Sequence, residues 1–92
     1  MNIDIEIYGK DHCPYCDMAV QHAQNLIANR GAGKYEYKKL GKDFEKEELF
    51  EKFPGARTFP QVRIDGHVVG GYTEFKEKYQ WSYHANIVTI GL

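Results

Sequence analysis

The sequence predicts a mixed α/β domain whose elements run in the order strand, helix, strand, helix, strand, strand, helix. Three observations indicate this order: polar and apolar residues alternate over residues 3–8, an amphipathic run follows Pro14, and Asp65-Gly66 separates two short apolar runs. A strand–helix–strand unit followed by a hairpin implies a four-stranded mixed sheet flanked by three helices. The length of 92 residues predicts a single domain over residues 1–92.

The first strand is predicted from the alternation of Ile3, Ile5 and Ile7 with polar residues, and it ends near Tyr8-Gly9. Because successive side chains of a strand lie on opposite faces, the three isoleucines would share one buried face. A short loop, residues 10–12, follows the strand.

The first helix is predicted from Pro14 to about Asn29, because apolar residues recur there at three- and four-residue spacing. Pro14 suits the first helical position, and Gly31 suits a left-handed stop at the carboxyl end. These bounds place Cys13 at or next to the N-cap. The apolar stripe consists of Ala19, Val20, Ala23, Leu26 and Ile27.

Residues 35–40 alternate again and predict a second strand, reached through the flexible residues 31–33. Asp43 is the predicted N-cap of a short helix that runs to Phe53, where Pro54-Gly55 breaks it. The buried side of this helix is predicted to hold Phe44, Leu49, Phe50 and Phe53.

The last elements begin with the hairpin at Asp65-Gly66, the strongest turn signal in the chain. Thr73 is the predicted N-cap of the third helix. In order, these elements are strands at residues 61–64 and 67–69, a break at Gly70-Gly71, and a helix from Glu74 to about Tyr83.

Composition argues against several classes of function. The formal net charge is −1, and lysine and arginine are scattered among acidic residues, without the basic stripe that nucleic-acid binding requires. No apolar run approaches the roughly 20 residues of a membrane span. Residues 1–6 carry acidic side chains where a secretory signal carries basic ones, so we expect a cytoplasmic protein with no nucleic-acid or membrane partner.

The motif that carries chemistry is Cys13-Pro14-Tyr15-Cys16, a C-x-x-C sequence at the predicted strand-to-helix junction. The free amides and positive dipole end of a helix N-terminus favour a thiolate, so Cys13 is the predicted nucleophile. Cys16 lies one turn further in and suits a resolving thiol that attacks a mixed disulfide on Cys13. Lys10, three residues ahead of Cys13, brings a positive charge near the thiolate or near an anionic substrate.

Two other interpretations of the cysteine pair stay open at this point. A C-x-x-C pair is also half of a four-ligand zinc site, although this sequence has no second pair and only its four histidines to complete one. The two cysteines are also compatible with plain packing roles. The strand-to-helix context favours the redox interpretation over both.

With this motif in place, residues 3–83 resemble the glutaredoxins, the dithiol class of the thioredoxin-fold superfamily. Lys10 matches the family's lysine, residues 55–60 look like its segment ending Thr-Val-Pro, and Gly70-Gly71 matches its diglycine. The resemblance implies a thioredoxin-like fold and a cis peptide bond between Phe59 and Pro60.

The resemblance also implies a glutathione site, with the tripeptide extended beside residues 58–60 and paired with the Phe59 backbone. Lys10 would bind a glutathione carboxylate, and Tyr15 would form a wall. The γ-glutamyl end would lie after the diglycine, with Glu74 at its ammonium group. The implied glutathione-binding residues are Lys10, Tyr15, Thr58, Phe59, Pro60, Gly71, Tyr72, Thr73 and Glu74.

Three departures from the family pattern bear on function. Phe59 replaces the usual small β-branched residue before the proline and enlarges the wall near the thiols. Residues 46–48, Lys-Glu-Glu, stand where many relatives carry Gln or Arg for a second carboxylate contact. Residues 84–92 are atypical because residues 87–90 favour a strand over the family's closing helix, and they are compatible with an extra strand, a contact with another copy or a frayed tail.

The expected function is glutathione-dependent thiol–disulfide oxidoreduction. Cys13 would attack a protein disulfide or a glutathionylated thiol, and either Cys16 or a glutathione molecule would resolve the intermediate. Glutathione is the expected co-substrate, and no cofactor is expected to bind tightly. The resemblance implies glutathione reductase with NADPH upstream and ribonucleotide reductase as one downstream acceptor, and we expect a monomer.

The sequence alone leaves two rival functions open. In the first, a dimer carries an iron–sulfur (2Fe–2S) cluster held by Cys13 thiolates and glutathione. In the second, the chain is a redoxin that accepts electrons from thioredoxin reductase and does not use glutathione.

Overall fold

The predicted order of elements is present in a computed structural model, which describes residues 3–80. The strands and helices are β1 (Asp4–Gly9), α1 (Pro14–Arg30), β2 (Lys34–Lys39), α2 (Lys46–Lys52), β3 (Gln61–Ile64), β4 (His67–Gly70) and α3 (Tyr72–Lys78). The sheet order is β2-β1-β3-β4, in which β1 is parallel to β2 and antiparallel to β3, and β3 is antiparallel to β4. The four-stranded mixed sheet with three helices is therefore confirmed.

Both ends of α1 follow the predicted local chemistry. Cys13 is the N-cap in an extended conformation, and Pro14 is the first helical residue. At the other end Gly31 adopts a left-handed φ of 77° and donates its N–H to the Ile27 carbonyl at 2.9 Å. The helix therefore starts at the cysteine motif and runs back along the sheet for 17 residues.

The core lies on both faces of β1. Ile5 and Ile7 belong to the main cluster with α1 and α3, as predicted. Tyr8 is also fully buried, and its ring packs edge-on against Phe44 at 5.0 Å and Phe53 at 5.2 Å. The prediction of a single buried face for β1 is therefore wrong near its carboxyl end, because the α2 region covers the opposite face.

The start of α2 differs from the prediction. Its N-cap is Glu45, whereas the Asp43 carboxylate accepts the backbone N–H of Lys39 at 2.9 Å and closes the turn after β2. Phe50 is 51% exposed although it was predicted to be buried. Leu49 is the buried residue of this helix, and Phe50, one residue later, is rotated about 100° away from the core side.

The start of α3 also differs from the prediction. Gly71 is the N-cap, and Thr73 is the second helical residue. The Glu74 carboxylate, at the third position of the helix, accepts the Gly71 N–H at 2.9 Å, so the backbone N–H of the N-cap residue is bonded while Thr73 lies inside the helix. The predicted end of this helix near Tyr83 and the whole of residues 84–92 lie outside the described residues.

Candidate active site

A disulfide joins Cys13 and Cys16 at the amino end of α1, with their Cα atoms 5.2 Å apart. The Cys13 carbonyl accepts the backbone N–H groups of Cys16 at 3.0 Å and Asp17 at 3.2 Å. The Cys13 sulfur is a second acceptor for the Cys16 N–H, at 3.2 Å. Cys13 is partly buried whereas Cys16 is fully buried, so an external thiol can reach the Cys13 sulfur more easily.

Gly9, the last residue of β1, makes room for this disulfide. A Cβ atom at Gly9 would lie 2.8 Å from the Cys16 sulfur, 2.8 Å from Tyr37 Cε1 and 3.0 Å from the Tyr37 hydroxyl oxygen. Contacts this short require the neighbours to move, so glycine is the residue that fits. The Cys16 sulfur and the Tyr37 side chain therefore border the same small volume. Neither Gly9 nor Tyr37 was predicted as part of the site, because neither belongs to a recognisable motif.

Tyr37 connects β2 to the loop that precedes α1. Its hydroxyl donates to the Lys10 carbonyl at 3.5 Å, and the Lys39 ammonium lies 5.7 Å from its ring centroid. Lys39 also forms an ion pair with Asp11 at 3.2 Å. Burial raises the pKa of Tyr37, and the negative charges of Asp17 and Asp11 act in the same direction, against the opposing charge of Lys39. The phenol therefore stays protonated and remains a hydrogen-bond donor.

The segment before β3 presents open main chain next to a buried proline. The Phe59–Pro60 peptide bond is cis, as the resemblance implied. Gln61 supports the turn, because its side-chain amide donates to the Thr58 carbonyl at 2.9 Å. Within residues 3–80 the Phe59 N–H makes no backbone hydrogen bond. This main chain is therefore available to an added strand.

Lys10 lies above the ring of Phe59, with its Nζ 5.6 Å from the ring centroid. Both side chains line a groove of about 620 Å³ between the cis-proline segment and α2. Two more cations, Lys46 and Arg57, line the groove, and none of the residues 3–80 that line it is acidic. The apolar part of its lining consists of Leu40, Leu49, Phe50, Ala56 and Phe59. This lining suits a ligand that has an anionic group next to an apolar part.

The diglycine lies beside the cis-proline segment. Gly70 pairs with Val62 between β4 and β3, and a Cβ atom on Gly71 would lie 3.5 Å from the Pro60 carbonyl oxygen. A second depression is lined by residues from both segments, among them Arg57, Thr58, Gln61, Gly71 and Glu74. The structure therefore brings Thr58 and Pro60 of one segment close to Gly71 and Glu74 of the other, four of the residues that the resemblance assigned to glutathione.

Two tyrosines lie at the starts of α1 and α3, close to each other. The rings of Tyr15 and Tyr72 are 5.9 Å apart between centroids, and Tyr15 is 60% exposed. Lys76 lies 5.8 Å from the centre of the Tyr72 ring. Thr73 and Glu74 are exposed at the start of α3, where Glu74 already accepts the Gly71 N–H. The contact between Tyr15 and Tyr72 therefore brings the start of α3 close to the cysteine motif at the start of α1.

Three of the four histidines considered as zinc ligands lie within residues 3–80, and they do not form a cluster with the cysteines, whereas His84 lies outside that range. His22 is buried, with its Nε2 2.6 Å from the Tyr79 carbonyl and its ring edge-on to Phe75 at 4.8 Å. His12 and His67 are exposed. In the described part of the chain, residues 3–80, no group of three or more His, Cys, Asp or Glu side chains is arranged to hold a metal ion. None of the helices in this range is long and apolar enough to cross a bilayer.

Comparison with known proteins identifies the family. Residues 5–69 match the family model described as Glutaredoxin. A glutaredoxin of Vibrio cholerae is 35% identical over 74 residues, which cover 78% of this chain and 85% of that protein. Glutaredoxin 1 of Escherichia coli K12 is 35% identical over 71 residues, covering 75% and 84%.

The fold comparison agrees with the sequence comparison. The solved structure of reduced Escherichia coli glutaredoxin superimposes with a TM-score of 0.72 at 33% identity, covering 82% of this chain and 91% of that one. The thioredoxin-like fold that the resemblance implied is thereby confirmed. The chain belongs to the glutaredoxin family, whose members are thiol–disulfide oxidoreductases that use glutathione as co-substrate.

Proposed function

We propose that this chain reduces protein disulfides and glutathione mixed disulfides, with Cys13 as the nucleophile and Cys16 as the resolving thiol. The observation that carries the proposal is the asymmetry of the pair: partly exposed Cys13 caps a 17-residue helix, while Cys16 is buried behind it. Amides and dipole at a helix N-terminus favour a thiolate. We therefore expect reduced Cys13 to ionise below the pKa of about 8.5 of a free cysteine.

The proposed reaction with a protein disulfide has two halves. The Cys13 thiolate bonds to one partner sulfur and releases the other as a thiolate, and Cys16 then attacks Cys13, frees the partner and leaves the Cys13–Cys16 disulfide. A first glutathione displaces Cys16 and forms a mixed disulfide on Cys13. A second glutathione releases Cys13 and yields oxidised glutathione. With a glutathionylated substrate, Cys13 takes the glutathione directly, and only the second step is needed.

We place glutathione in an extended form along Thr58, Phe59 and Pro60. The unpaired Phe59 N–H supports main-chain pairing there, and the exposed Lys10 ammonium suits the glycyl carboxylate at one end. The γ-glutamyl end would lie in the depression shared with the diglycine, beside residues 71–74. Tyr15, whose ring lies near that of Tyr72, would form the side wall of the site at the γ-glutamyl end of glutathione.

Lys46 is a second cation for the glycyl carboxylate. It is the first residue of α2 and lines the same groove as Lys10 and Thr58. Relatives often carry Gln or Arg in this region, and a lysine ammonium also binds a carboxylate, although as a point charge and not as a fork. In this proposal Lys46 takes the place of the Gln or Arg that many relatives carry for the second carboxylate contact.

The cellular setting belongs to the same proposal. We propose a cytoplasmic monomer whose glutathione is regenerated by glutathione reductase with NADPH. Disulfide-containing or glutathionylated proteins would be its substrates, with ribonucleotide reductase as one candidate. These features rest on the family and not on a contact in the structure.

The proposal is tested by the reduction of a glutathione mixed disulfide, coupled to glutathione reductase, with the Cys16→Ser and Cys13→Ser variants side by side. We expect Cys16→Ser to turn over, because glutathione can resolve the intermediate without Cys16, and Cys13→Ser to be inactive. If neither variant works while the unmodified chain still reduces protein disulfides, the proposed glutathione site is wrong. The chain would then be a thioredoxin-like dithiol donor.

A further inference from the structure

We propose that Tyr37 is a further catalytic residue, whose hydroxyl donates a hydrogen bond to the Cys16 sulfur whenever that sulfur is a thiolate. The inference rests on the proposed function, because it concerns how Cys16 leaves and re-enters the disulfide. It adds a role for a β2 residue that the motif itself does not contain.

The first support is the geometry around Gly9. The Cys16 sulfur and the Tyr37 hydroxyl oxygen lie 2.8 Å and 3.0 Å from the point that a Cβ atom on Gly9 would occupy. Because glycine has no side chain, nothing from Gly9 fills that point. The hydroxyl presently donates to the Lys10 carbonyl over 3.5 Å, which is long for a hydrogen bond between oxygens. A thiolate at the Cys16 sulfur is a charged acceptor and would compete effectively with that carbonyl.

The second support is the need of a buried thiolate for a donor. Cys16 is fully buried, so a charge on its sulfur lacks the stabilisation of water. Its own backbone N–H is directed at the carbonyl and the sulfur of Cys13. A phenol that stays protonated supplies a hydrogen bond without introducing a second charge.

The charged groups around the hydroxyl come from every element that packs there. Asp17 belongs to α1, Lys39 to β2, and Asp11 to the intervening loop, where it pairs with Lys39. The Lys10 ammonium of the same loop is directed towards Phe59. The negative charge of Asp17 disfavours a thiolate on the adjacent Cys16, which makes a neutral donor at this place more important.

The chemical step is the opening of the disulfide by glutathione. The glutathione thiolate forms a bond to the Cys13 sulfur, the Cys13–Cys16 bond breaks, and Cys16 leaves with the electron pair. Tyr37 stabilises this charge until water supplies a proton. In the opposite direction, the same hydrogen bond increases the fraction of Cys16 thiolate that attacks a mixed disulfide on Cys13.

The test uses Tyr37→Phe, which removes the hydroxyl and keeps the ring. Tyr35→Phe is the matched control, because Tyr35 lies on the same strand and its hydroxyl accepts from Gln24 at 2.8 Å. The thiol pKa of Cys16 is measured in a Cys13→Ser background by thiolate absorbance against pH, after subtraction of the tyrosine signal of a chain that lacks both cysteines. We expect Tyr37→Phe to raise the pKa of the Cys16 thiol by about one unit and Tyr35→Phe to leave this pKa unchanged. An unchanged pKa in Tyr37→Phe overturns the inference.

Turnover gives a second, independent readout. We expect Tyr37→Phe to slow the reduction of a protein disulfide, which uses both cysteines, by roughly three- to tenfold. In a Cys16→Ser background the same substitution should leave turnover of a glutathione mixed disulfide unchanged. Equal losses in both backgrounds would mean that Tyr37 acts through the Lys10 loop, which contradicts the inference. If Cys16→Ser lacks glutathione turnover while the pKa shift is present, the proposed function fails and the link between Tyr37 and Cys16 stands.

Discussion

The backbone N–H of Cys16 donates to the sulfur of Cys13 at 3.2 Å, inside the first turn of α1. The Cys13 sulfur therefore accepts a backbone amide of the helix end, while the Cys16 sulfur is buried beside the space at Gly9 that the Tyr37 side chain also borders. The two cysteines thus occupy different electrostatic and steric environments although only two residues separate them. This difference supports the assignment of attack to one thiol and resolution to the other.

Gly9→Ala is expected to destabilise the oxidised protein by about 1–3 kcal/mol, the usual cost of overpacking. The added methyl would collide with the Cys16 sulfur and with the ring of Tyr37, both within 3.0 Å. Urea unfolding monitored by circular dichroism measures the change in the free energy of unfolding. A value equal to that of the unmodified protein would show that the space around Gly9 accommodates a side chain.

Glu6 and Arg63 form a cross-strand ion pair that predicts the acid sensitivity of the fold. Arg63 donates from Nη2 to Glu6 Oε1 at 2.8 Å and from Nε to Oε2 at 3.2 Å, and the Tyr8 hydroxyl adds a bond at 3.1 Å. Burial raises the pKa of Glu6, but the bonds from Arg63 and Tyr8 and the charges of Arg63 and Lys38 together lower it below 4.5. Stability from this carboxylate is therefore complete above about pH 4.5 and is lost as pH falls through the lowered folded-state pKa.

Glu6→Gln tests this pH dependence. We expect it to reduce the free energy of unfolding by about 1–2 kcal/mol at neutral pH and to make the decline of stability below pH 4.5 shallower. Glu36→Gln, at an exposed neighbouring position on β2, is the control and should have little effect. Denaturant unfolding over a series of pH values provides the data. A Glu6→Gln loss of the same size at acid and at neutral pH would show that the carboxylate charge does not contribute.

Lys10→Ala is expected to raise the KM for glutathione by about five- to tenfold with a smaller change in kcat, because an exposed charge-assisted contact with a carboxylate is lost. Lys10→Arg should retain most of the affinity. Lys34→Ala removes an exposed lysine at the start of β2, the end of the strand away from Lys10, and serves as the control. Steady-state kinetics with glutathione as the varied substrate distinguishes them. Equal KM values for Lys10→Ala and Lys34→Ala would exclude Lys10 from the site.

Phe59→Val is expected to change the choice of partner more than the use of glutathione. The ring of Phe59 lies under Lys10 and 6.5 Å from the ring of Phe44, so it forms a large apolar wall next to the main chain that would pair with substrate. We expect kcat/KM for a folded protein disulfide to fall relative to that for a small glutathione mixed disulfide. An unchanged ratio of the two constants would show that this wall does not contact protein partners.

The elements of the fold could be predicted because their signals are local. Pro14 and Gly31 mark the two ends of α1 from within a few residues of each end, and Asp65-Gly66 specifies its turn with left-handed φ values of 52° and 83°. The starts of the two shorter helices differ from the prediction because the residues expected to cap them have other places in the fold. Asp43 accepts the Lys39 N–H in the turn after β2, and Thr73 lies inside α3, which begins after Gly71.

The sequence points to those residues of the candidate site that belong to a motif or to the family pattern. It does not point to residues that only the three-dimensional fold brings to the site. Cys13 and Cys16 are recognisable from their spacing. Gly9 and Tyr37 come from two different strands, and the Tyr37 side chain reaches the space at Gly9 beside the Cys16 sulfur because of the register in which β1 pairs with β2. No pattern in the sequence contains that register. The burial of Tyr8 likewise depends on a contact distant in sequence, the packing of Phe44 and Phe53 against its ring.

The most direct measurement is the alkylation rate of reduced Cys13 as a function of pH, in the Cys16→Ser variant so that a single thiol reacts. A nucleophile at the N-cap of α1 should give an inflection clearly below the value of about 8.5 of a free cysteine, because the helix amides and dipole stabilise its thiolate. An inflection at or above that value would contradict the assignment of Cys13 as the activated nucleophile.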